Sequence, residues 1–136
     1  MYIKGTMKIK RLTKAEEQIM QILWDIEKGF VKDIIECLPD PKPAYNTVST
    51  IVRILEKKGF VSHNAFGNSH EYYPTIEKKE YTEAYMNSII KDYFSNSFKE
   101  MVSFFTRDTD MSIEELEEIR KMISMEIQNQ KRDKND

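Results

Sequence analysis

The chain has 136 residues, of which 40% are hydrophobic, and a net charge of −2. This length fits one small domain with a helical appendage, and the apolar content is enough for a folded core. No apolar run approaches the roughly 18 residues that cross a bilayer, and the start MYIKGTMKIKR lacks the apolar centre of a signal peptide. We therefore expect a cytoplasmic protein with no segment inserted in a membrane.

The charge is unevenly distributed. Residues 1–68 contain 11 Lys+Arg and 8 Asp+Glu, whereas residues 69–136 contain 10 and 15. Five of the basic residues lie in the first 14 positions, and six acidic residues lie between positions 108 and 120. A polyanion is thus attracted to the first half only. Residues 1–9 are predicted to form a flexible tail. The basic arm formed by residues 1–14 is equally consistent with a solvated tail and with a DNA contact, for which Arg11 is the candidate.

The first helix is predicted to begin after Thr13, because Thr13 and Glu16 have the spacing of a capping box. Apolar residues then recur at helical spacing, and Gly29 is expected to close the segment. A second helix carries the stripe Val31, Ile34, Ile35 and Leu38. Prolines 39, 41 and 43 prevent its continuation, so residues 39–43 are predicted to form a loop.

Cys37 lies within this second apolar pattern, and we interpret it as a buried thiol. It is the only cysteine of the chain, which excludes an internal disulfide and any metal site built from several cysteines.

The stretch YNTVSTIVRILEKKGFV predicts a third helix, with Asn46 as its N-cap and Gly59 just beyond its end. It is followed by two short segments rich in aromatic and branched residues that flank Gly67-Asn68. This pair suits a tight hairpin turn, and Pro74 ends the ribbon. Three helices and a hairpin in this order are typical of a winged helix-turn-helix domain, predicted over residues 10–75.

One face of the third helix is not needed for folding. Val48, Ile51, Val52 and Leu55 point to one side, and the polar residues point to the other. A recognition helix needs short hydroxyls, an arginine that can bond a guanine twice, and a lysine for phosphate. A merely solvated face is the competing interpretation, which the position within a helix-helix-helix-hairpin unit disfavours. The predicted DNA contacts are Asn46, Thr47, Ser49, Thr50, Arg53 and Lys57 on the helix, and Asn68, Ser69 and His70 on the hairpin.

Helical patterns resume at residue 76 and predict a second domain over residues 76–127, followed by a flexible tail over 128–136. Its apolar stripes are open to three interpretations, namely an internal core, a ligand pocket and a subunit interface. We favour an interface, because a two-fold dimer would also match two DNA half-sites. The predicted dimerisation residues are Tyr85, Ile89, Tyr93, Phe98, Met101, Val102, Phe105, Leu116, Ile119, Met122 and Ile123.

Other functional classes have little support. His63 and His70 flank the hairpin, but two histidines without a third ligand make a poor metal site. The acidic run at positions 114–118 is explained as a solvated helix face. No phosphate-binding glycine loop and no catalytic grouping is present, so the chain is predicted not to be an enzyme and to need no cofactor or metal.

The segments LTKAEEQIMQILWD, NTVSTIVRILEKKGFV and HEYYP together resemble the penicillinase-repressor family of bacterial transcription factors. The resemblance covers about residues 10–125. It implies a mainly α-helical homodimer that binds an inverted-repeat operator and represses transcription until a membrane-bound sensor metalloprotease triggers proteolysis. It also places the cleaved bond between the second and third helices of the C-terminal domain, at Phe104–Phe105. The alternatives are control by a small ligand in the helical domain, and a winged-helix module that binds protein.

Overall fold

The computed structural model describes residues 1–3, 5 and 7–135. It divides into two compact units, Met1–Ile89 and Ile90–Asp136, which we call unit 1 and unit 2. The elements in chain order are β1 (Tyr2–Ile3), β2 (Met7–Lys8), α1 (Lys14–Ile26), α2 (Val31–Cys37), α3 (Tyr45–Lys57), β3 (Val61–Phe66), β4 (Ser69–Pro74), α4 (Lys78–Tyr93), α5 (Phe98–Asp108) and α6 (Ile113–Asn135). Among the described residues, no helix is long and apolar enough to cross a membrane.

Unit 1 contains a three-helix core with an antiparallel hairpin. Its most completely buried side chains come from all three helices and the start of the hairpin, and include Met20, Ile34, Leu55 and Phe60. The hairpin pairs β3 with β4 from Val61↔Pro74 to Phe66↔Ser69, which leaves the predicted two-residue turn at Gly67-Asn68. The mainly α-helical fold with a winged helix-turn-helix order is therefore confirmed.

The hairpin of β3, β4 and the turn at Gly67-Asn68, which we call the wing, is fixed to the helices at Gly29. Gly29 and Tyr72 exchange two backbone hydrogen bonds of 2.9 and 2.8 Å. A Cβ atom at Gly29 would lie 2.9 Å from Cδ1 of Ile26 and 3.3 Å from Cβ of Asp33, so any larger residue requires these side chains to shift. Gly29 was predicted to close α1, but the left-handed residue after that helix is Glu27, with φ 72°.

Helix ends follow the predicted capping chemistry in most places. Thr13 and Glu16 form the predicted reciprocal capping box of α1. Gly59 follows α3 with φ 85°. The N-cap of α3, however, is Ala44 and not Asn46, which lies one position inside the helix. The prediction of Asn46 as the cap was wrong because Ala44 already has extended backbone after Pro43 and supplies the first carbonyl.

Both predicted flexible tails contain regular structure. Residues 1–9 include the hairpin β1–β2, and both Ile3 of β1 and Ile9, which follows β2, are buried in the core of unit 1. At the other end α6 continues to Asn135, through a segment rich in good helix formers such as Lys, Arg and Gln. The Gln130 amide donates to Glu126 over 3.1 Å, one turn away. Local helix propensity therefore continues the helix without an apolar face.

Cys37 is exposed, so its interpretation as a buried thiol was wrong. It is the last residue of α2, whose buried positions include Val31 and Ile34, with Leu38 buried just beyond. At about 100° per residue, position 37 lies roughly a quarter turn from the centre of that stripe.

The boundary between the units lies within α4 and not at residue 75. Tyr81 and Ala84 are buried in unit 1. The Tyr81 hydroxyl accepts the Leu12 N–H at 3.1 Å, and its ring lies 5.7 Å from that of Phe60. Trp24 Nε1 also donates to the Ile76 carbonyl at 2.9 Å. The first half of α4 thus completes the core of the winged-helix unit.

This packing predicts that a fragment ending at Pro74 is much less stable than one ending at Ile89. The shorter fragment loses the Tyr81 ring, whose removal alone should cost on the order of 3 to 5 kcal/mol, as for other buried aromatic residues. It also leaves the Leu12 N–H without its partner. Urea unfolding of the two fragments measures the difference, and equal midpoints would show that α4 contributes nothing to this core.

Candidate nucleic-acid interface

The outward face of α3 carries the polar residues that the sequence predicts. Val48, Val52 and Leu55 are buried, whereas Asn46, Thr47, Thr50, Arg53 and Lys57 are exposed and Ser49 is half-buried. One side of α3 therefore packs on the core, and the other side faces solvent.

Arg53 is held against its own helix by Ser49. Its Nη2 donates to Ser49 Oγ at 3.2 Å, and its Nε contacts the Ser49 carbonyl at 3.4 Å. One turn earlier the Thr50 hydroxyl donates to the Asn46 carbonyl at 2.8 Å. The guanidinium is thus oriented along the face before any ligand binds, with donors left for a partner.

The wing lies beside this face and encloses a cleft of about 200 Å³ with α3. The cleft is lined by Val31, Tyr45, Ser49, Arg53, Asn68, His70 and Tyr72. The structure therefore brings together four of the predicted contacts, two from α3 and two from the wing. Asn46, Thr47, Thr50, Lys57 and Ser69 do not line it, and Thr47 instead borders a proline-lined depression between α1 and α3.

A second link fixes the wing to α3. His63 Nδ1 on β3 lies 2.6 Å from Glu56 Oε2 on α3. The rings of His63 and His70 are stacked, with centroids 4.0 Å apart and planes 6° from parallel. Within the part of the chain that the structure describes, no group of three metal-ligating side chains forms. The ring stack and the contact between His63 and Glu56 together couple His70 to α3.

Burial raises the pKa of Tyr72, and the nearby Glu56 carboxylate adds to this rise while Arg53 opposes it. Tyr72 is buried behind the cleft and remains neutral near pH 7. The Arg53 guanidinium therefore lies in the same cleft as the neutral Tyr72 side chain.

Lys58, the neighbour of Lys57, has an internal partner. Its ammonium lies 2.8 Å from both carboxylate oxygens of Glu16, whose side chain is only 6% exposed. Burial alone would raise the pKa of Glu16, but the hydrogen bonds from Lys58 and from the Thr13 backbone outweigh it, so the pKa lies below its ordinary value. The pair joins α1 to the end of α3.

Arg11 lies outside the cleft. Its Nη2 donates to the Tyr85 hydroxyl at 2.7 Å, and its guanidinium carbon lies 4.8 Å from the centre of that ring. Tyr85 packs against the core of unit 1. Arg11 is thus held against Tyr85 of α4 and does not line the cleft, and its contact with DNA stays a prediction.

Unit 2 contains no buried residue in α5 or α6. Tyr93, Phe98, Phe105, Met122 and Ile123 are between 46% and 74% exposed. Met101, Val102, Leu116 and Ile119 are half-buried. Large apolar residues are therefore left in water along both helices, which is typical of a surface that requires a partner.

Sequence reasoning missed Tyr45 and Glu56 as parts of the site, and it identified His63 only as a surface or DNA-facing histidine. Tyr45 was taken only as the start of the helix, although it precedes Ser49 and Arg53 at intervals of four residues, which is a readable signal. The link between Glu56 and His63 crosses from helix to strand, and nothing in the local pattern shows it.

Three helices, a polar third helix and a hairpin beside it define a winged helix-turn-helix domain, the class of many transcriptional regulators. A family model described as "Penicillinase repressor" matches residues 12–125. The chain therefore belongs to the penicillinase repressor family.

Two relatives match most of its length at modest identity. The "Penicillinase repressor" of Bacillus licheniformis is 25% identical over 127 residues, which cover 93% of this chain and 98% of the relative. "Methicillin resistance regulatory protein MecI" of Staphylococcus aureus strain N315 is 25% identical over 118 residues, covering 86% and 96%. A solved structure, "Solution structure of the DNA binding domain of the repressor BlaI", matches with 26% identity and a TM-score of 0.47, covering 54% of this chain and 90% of that one.

Proposed function

We propose that this protein is a transcriptional repressor that binds an inverted-repeat DNA operator as a homodimer. The observation that carries the proposal is the exposed face of α3, where Ser49 orients Arg53 beside the wing. Family membership supports it, since the matched relatives are named as a penicillinase repressor and a resistance regulator.

The residues of α3 have distinct roles in this proposal. Arg53 bonds O6 and N7 of a guanine, an arrangement that its planar guanidinium fits. Asn46, Ser49 and Thr50 offer short polar groups to neighbouring base edges. Thr47 and Lys57 contact phosphates at the two ends of the helix, where Thr47 lies close to the positive end of the helix dipole.

The wing contacts the flanking DNA backbone through Asn68, Ser69 and His70, all of which are exposed. The hydrogen bond between Glu56 and His63, and the ring stack of His63 with His70, fix the distance between wing and helix. A fixed distance favours simultaneous contact of both elements with one duplex, because less conformational freedom is lost on binding.

The exposed apolar residues of α5 and α6 form the subunit interface in this proposal. A two-fold dimer would place two copies of α3 against two half-sites, and a self-complementary apolar surface is what such a dimer requires. Unit 1 has its own core, so association through unit 2 leaves the DNA-binding fold unchanged.

Relief of repression follows, in this proposal, from proteolysis triggered by a membrane-bound sensor metalloprotease. The bond Phe104–Phe105 lies inside α5 and not between helices as predicted, with side chains 44% and 46% exposed. The Thr109 hydroxyl donates to the Phe105 carbonyl near the end of the same helix. A protease needs an extended backbone, so the last turns of α5 must unfold locally before cleavage.

The DNA proposal predicts different effects for two cationic residues of α3. Arg53→Ala should weaken binding to the operator by about 1 to 3 kcal/mol and leave binding to random duplex almost unchanged, because a base contact carries the sequence information. Lys57→Ala should weaken both equally and reduce the salt dependence by about one phosphate contact.

The measurement is a salt titration of each variant on a selected operator and on random duplex. Wild-type binding should weaken steeply with salt. A salt-independent wild type would instead support a winged-helix module that binds protein. An equal loss for Arg53→Ala on every sequence would show that Arg53 does not read a base.

A further inference from the structure

Tyr45 is a large side chain that the fold does not use. It is the first residue of α3 and is 59% exposed. It belongs neither to the buried core of unit 1 nor to the half-buried residues packed on that core. In residues 1–3, 5 and 7–135, its hydroxyl makes no hydrogen bond. Because the core does not account for this exposed aromatic ring, its role is to be sought in the site that it lines.

Tyr45 lies in one row with the two residues that form the centre of the α3 face. Positions 45, 49 and 53 are four apart, so their side chains follow one another along the helix at intervals of about 6 Å. All three line the same cleft against the wing. The Tyr45 ring thus precedes the oriented Arg53 guanidinium by about 12 Å along α3.

The chemistry of this ring differs from that of its neighbours. Ser49 and Arg53 present hydrogen-bonding groups, whereas Tyr45 presents apolar ring carbons at the N-terminal end of the helix. The N-terminal residues of a recognition helix contact base edges in the major groove. The only apolar group that a base displays there is the C5-methyl of thymine.

We propose that Tyr45 is a specificity-determining residue that packs its ring on the C5-methyl group of a thymine. At about 3.4 Å per base pair, a separation of 12 Å along the helix places this thymine within about four base pairs of the guanine bonded by Arg53. The inference rests on the proposed DNA-binding function. It adds a contact of an apolar kind, so Tyr45 and Arg53 together distinguish A·T from G·C pairs at two positions of each half-site.

The test uses a duplex that the wild-type full-length protein selects from a random pool. Each thymine is replaced in turn by deoxyuridine, which removes only the methyl group. For the wild type, one thymine per half-site should show a loss of affinity of about fourfold, the effect of one buried methyl group. Tyr45→Ala should bind the unmodified duplex more weakly and lose the sensitivity at that position. Tyr45→Phe should retain it, because the ring remains.

Ile54→Ala is the matched control, since Ile54 is an exposed apolar residue of α3 that does not line the cleft. It should keep the sensitivity to deoxyuridine. Thermal unfolding should be unchanged for Tyr45→Ala, whose side chain lies outside the core.

Two results would overturn the inference while leaving the proposed function intact. One is a Tyr45→Ala protein that still selects DNA and distinguishes thymine from deoxyuridine as the wild type does. The other is a Tyr45→Phe protein as weak as Tyr45→Ala, with no thymine methyl recognised by the wild type, which would assign the hydroxyl to a phosphate. A wild type that selects no duplex would overturn the proposed function and the inference together.

Discussion

Replacing Lys58 with methionine should destabilise unit 1 by about 3 to 5 kcal/mol, because it leaves the Glu16 carboxylate buried without its cation. Both Glu16 oxygens lie 2.8 Å from the Lys58 ammonium, and the Lys58 side chain is itself only 21% exposed. Methionine keeps most of the aliphatic length, so the loss of packing is small. Urea unfolding of the two proteins at pH 7 measures the effect.

The double variant Glu16→Gln with Lys58→Met is the control. Removing both charges should restore part of the stability, since replacing a buried ion pair costs far less than breaking it. Glu16→Gln keeps an oxygen for the Thr13 N–H, so the capping box can persist. If Lys58→Met unfolds at the wild-type midpoint, the pair contributes nothing to the stability of unit 1, and Lys58 is available to contact DNA.

The same pair predicts a pH dependence of stability. The pKa of Glu16 is lowered in the folded state, so its contribution is fully present above the ordinary carboxyl pKa of 4.5 and is lost as the pH falls through the lowered value. Stability measured from pH 7 downward should therefore fall below about pH 4.5. In Lys58→Met the carboxyl remains buried but lacks the hydrogen bonds of the ammonium, so this acid-dependent loss should diminish.

The two lysines that end α3 show how far sequence reasoning reaches. Periodicity separates the buried from the exposed positions of α3 correctly, because the helix repeat is a local property. Periodicity does not show that Lys57 is exposed to solvent whereas Lys58 is paired with Glu16. Their different roles depend on Glu16, which lies 42 positions away and reaches Lys58 only through the packing of α1 on α3.

The same distinction explains the misplaced domain boundary. The apolar pattern after residue 76 predicts a helix, and α4 begins at Lys78. Which core the helix joins is decided by Tyr81, through its hydrogen bond to Leu12, 69 positions away, and its contact with Phe60. The capping box of α1, the hairpin turn and the apolar stripes were therefore predictable, whereas contacts between distant segments required the folded structure.

The candidate site also has one part that the sequence predicts and another that only the folded structure shows. The polar residues of α3 and the wing tip were identified because each stands out in its own segment. The cleft that joins Ser49 and Arg53 to Asn68 and His70 depends on two links between elements, the Gly29–Tyr72 bridge and the Glu56–His63 pair. Neither link can be recognised from the sequence of a single helix or strand, because each joins residues of different elements.

Removing unit 2 should lower operator affinity by a factor of roughly 10² to 10⁴, the largest effect that we expect on binding. Two DNA-binding units joined in one dimer gain this factor because the second contact becomes intramolecular. A fragment of residues 1–89 keeps Tyr81 and the core of unit 1, so it should fold as a monomer and bind a single half-site as the full chain does. Sedimentation and DNA titration on the same samples measure assembly and affinity together.

A chain truncated after Phe104 tests whether cleavage at that bond is enough for release. It loses the end of α5 and all of α6, including the apolar residues Leu116, Ile119, Met122 and Ile123. We expect it to behave like the fragment of residues 1–89, with a monomeric state and a weak operator complex. A full-length chain with Glu118→Gln, which alters an exposed acidic position of α6 and no apolar one, should remain dimeric. If the truncated chain dimerises and binds the operator as the full chain does, relief by cutting at Phe104–Phe105 is excluded, and control by a ligand becomes the better explanation.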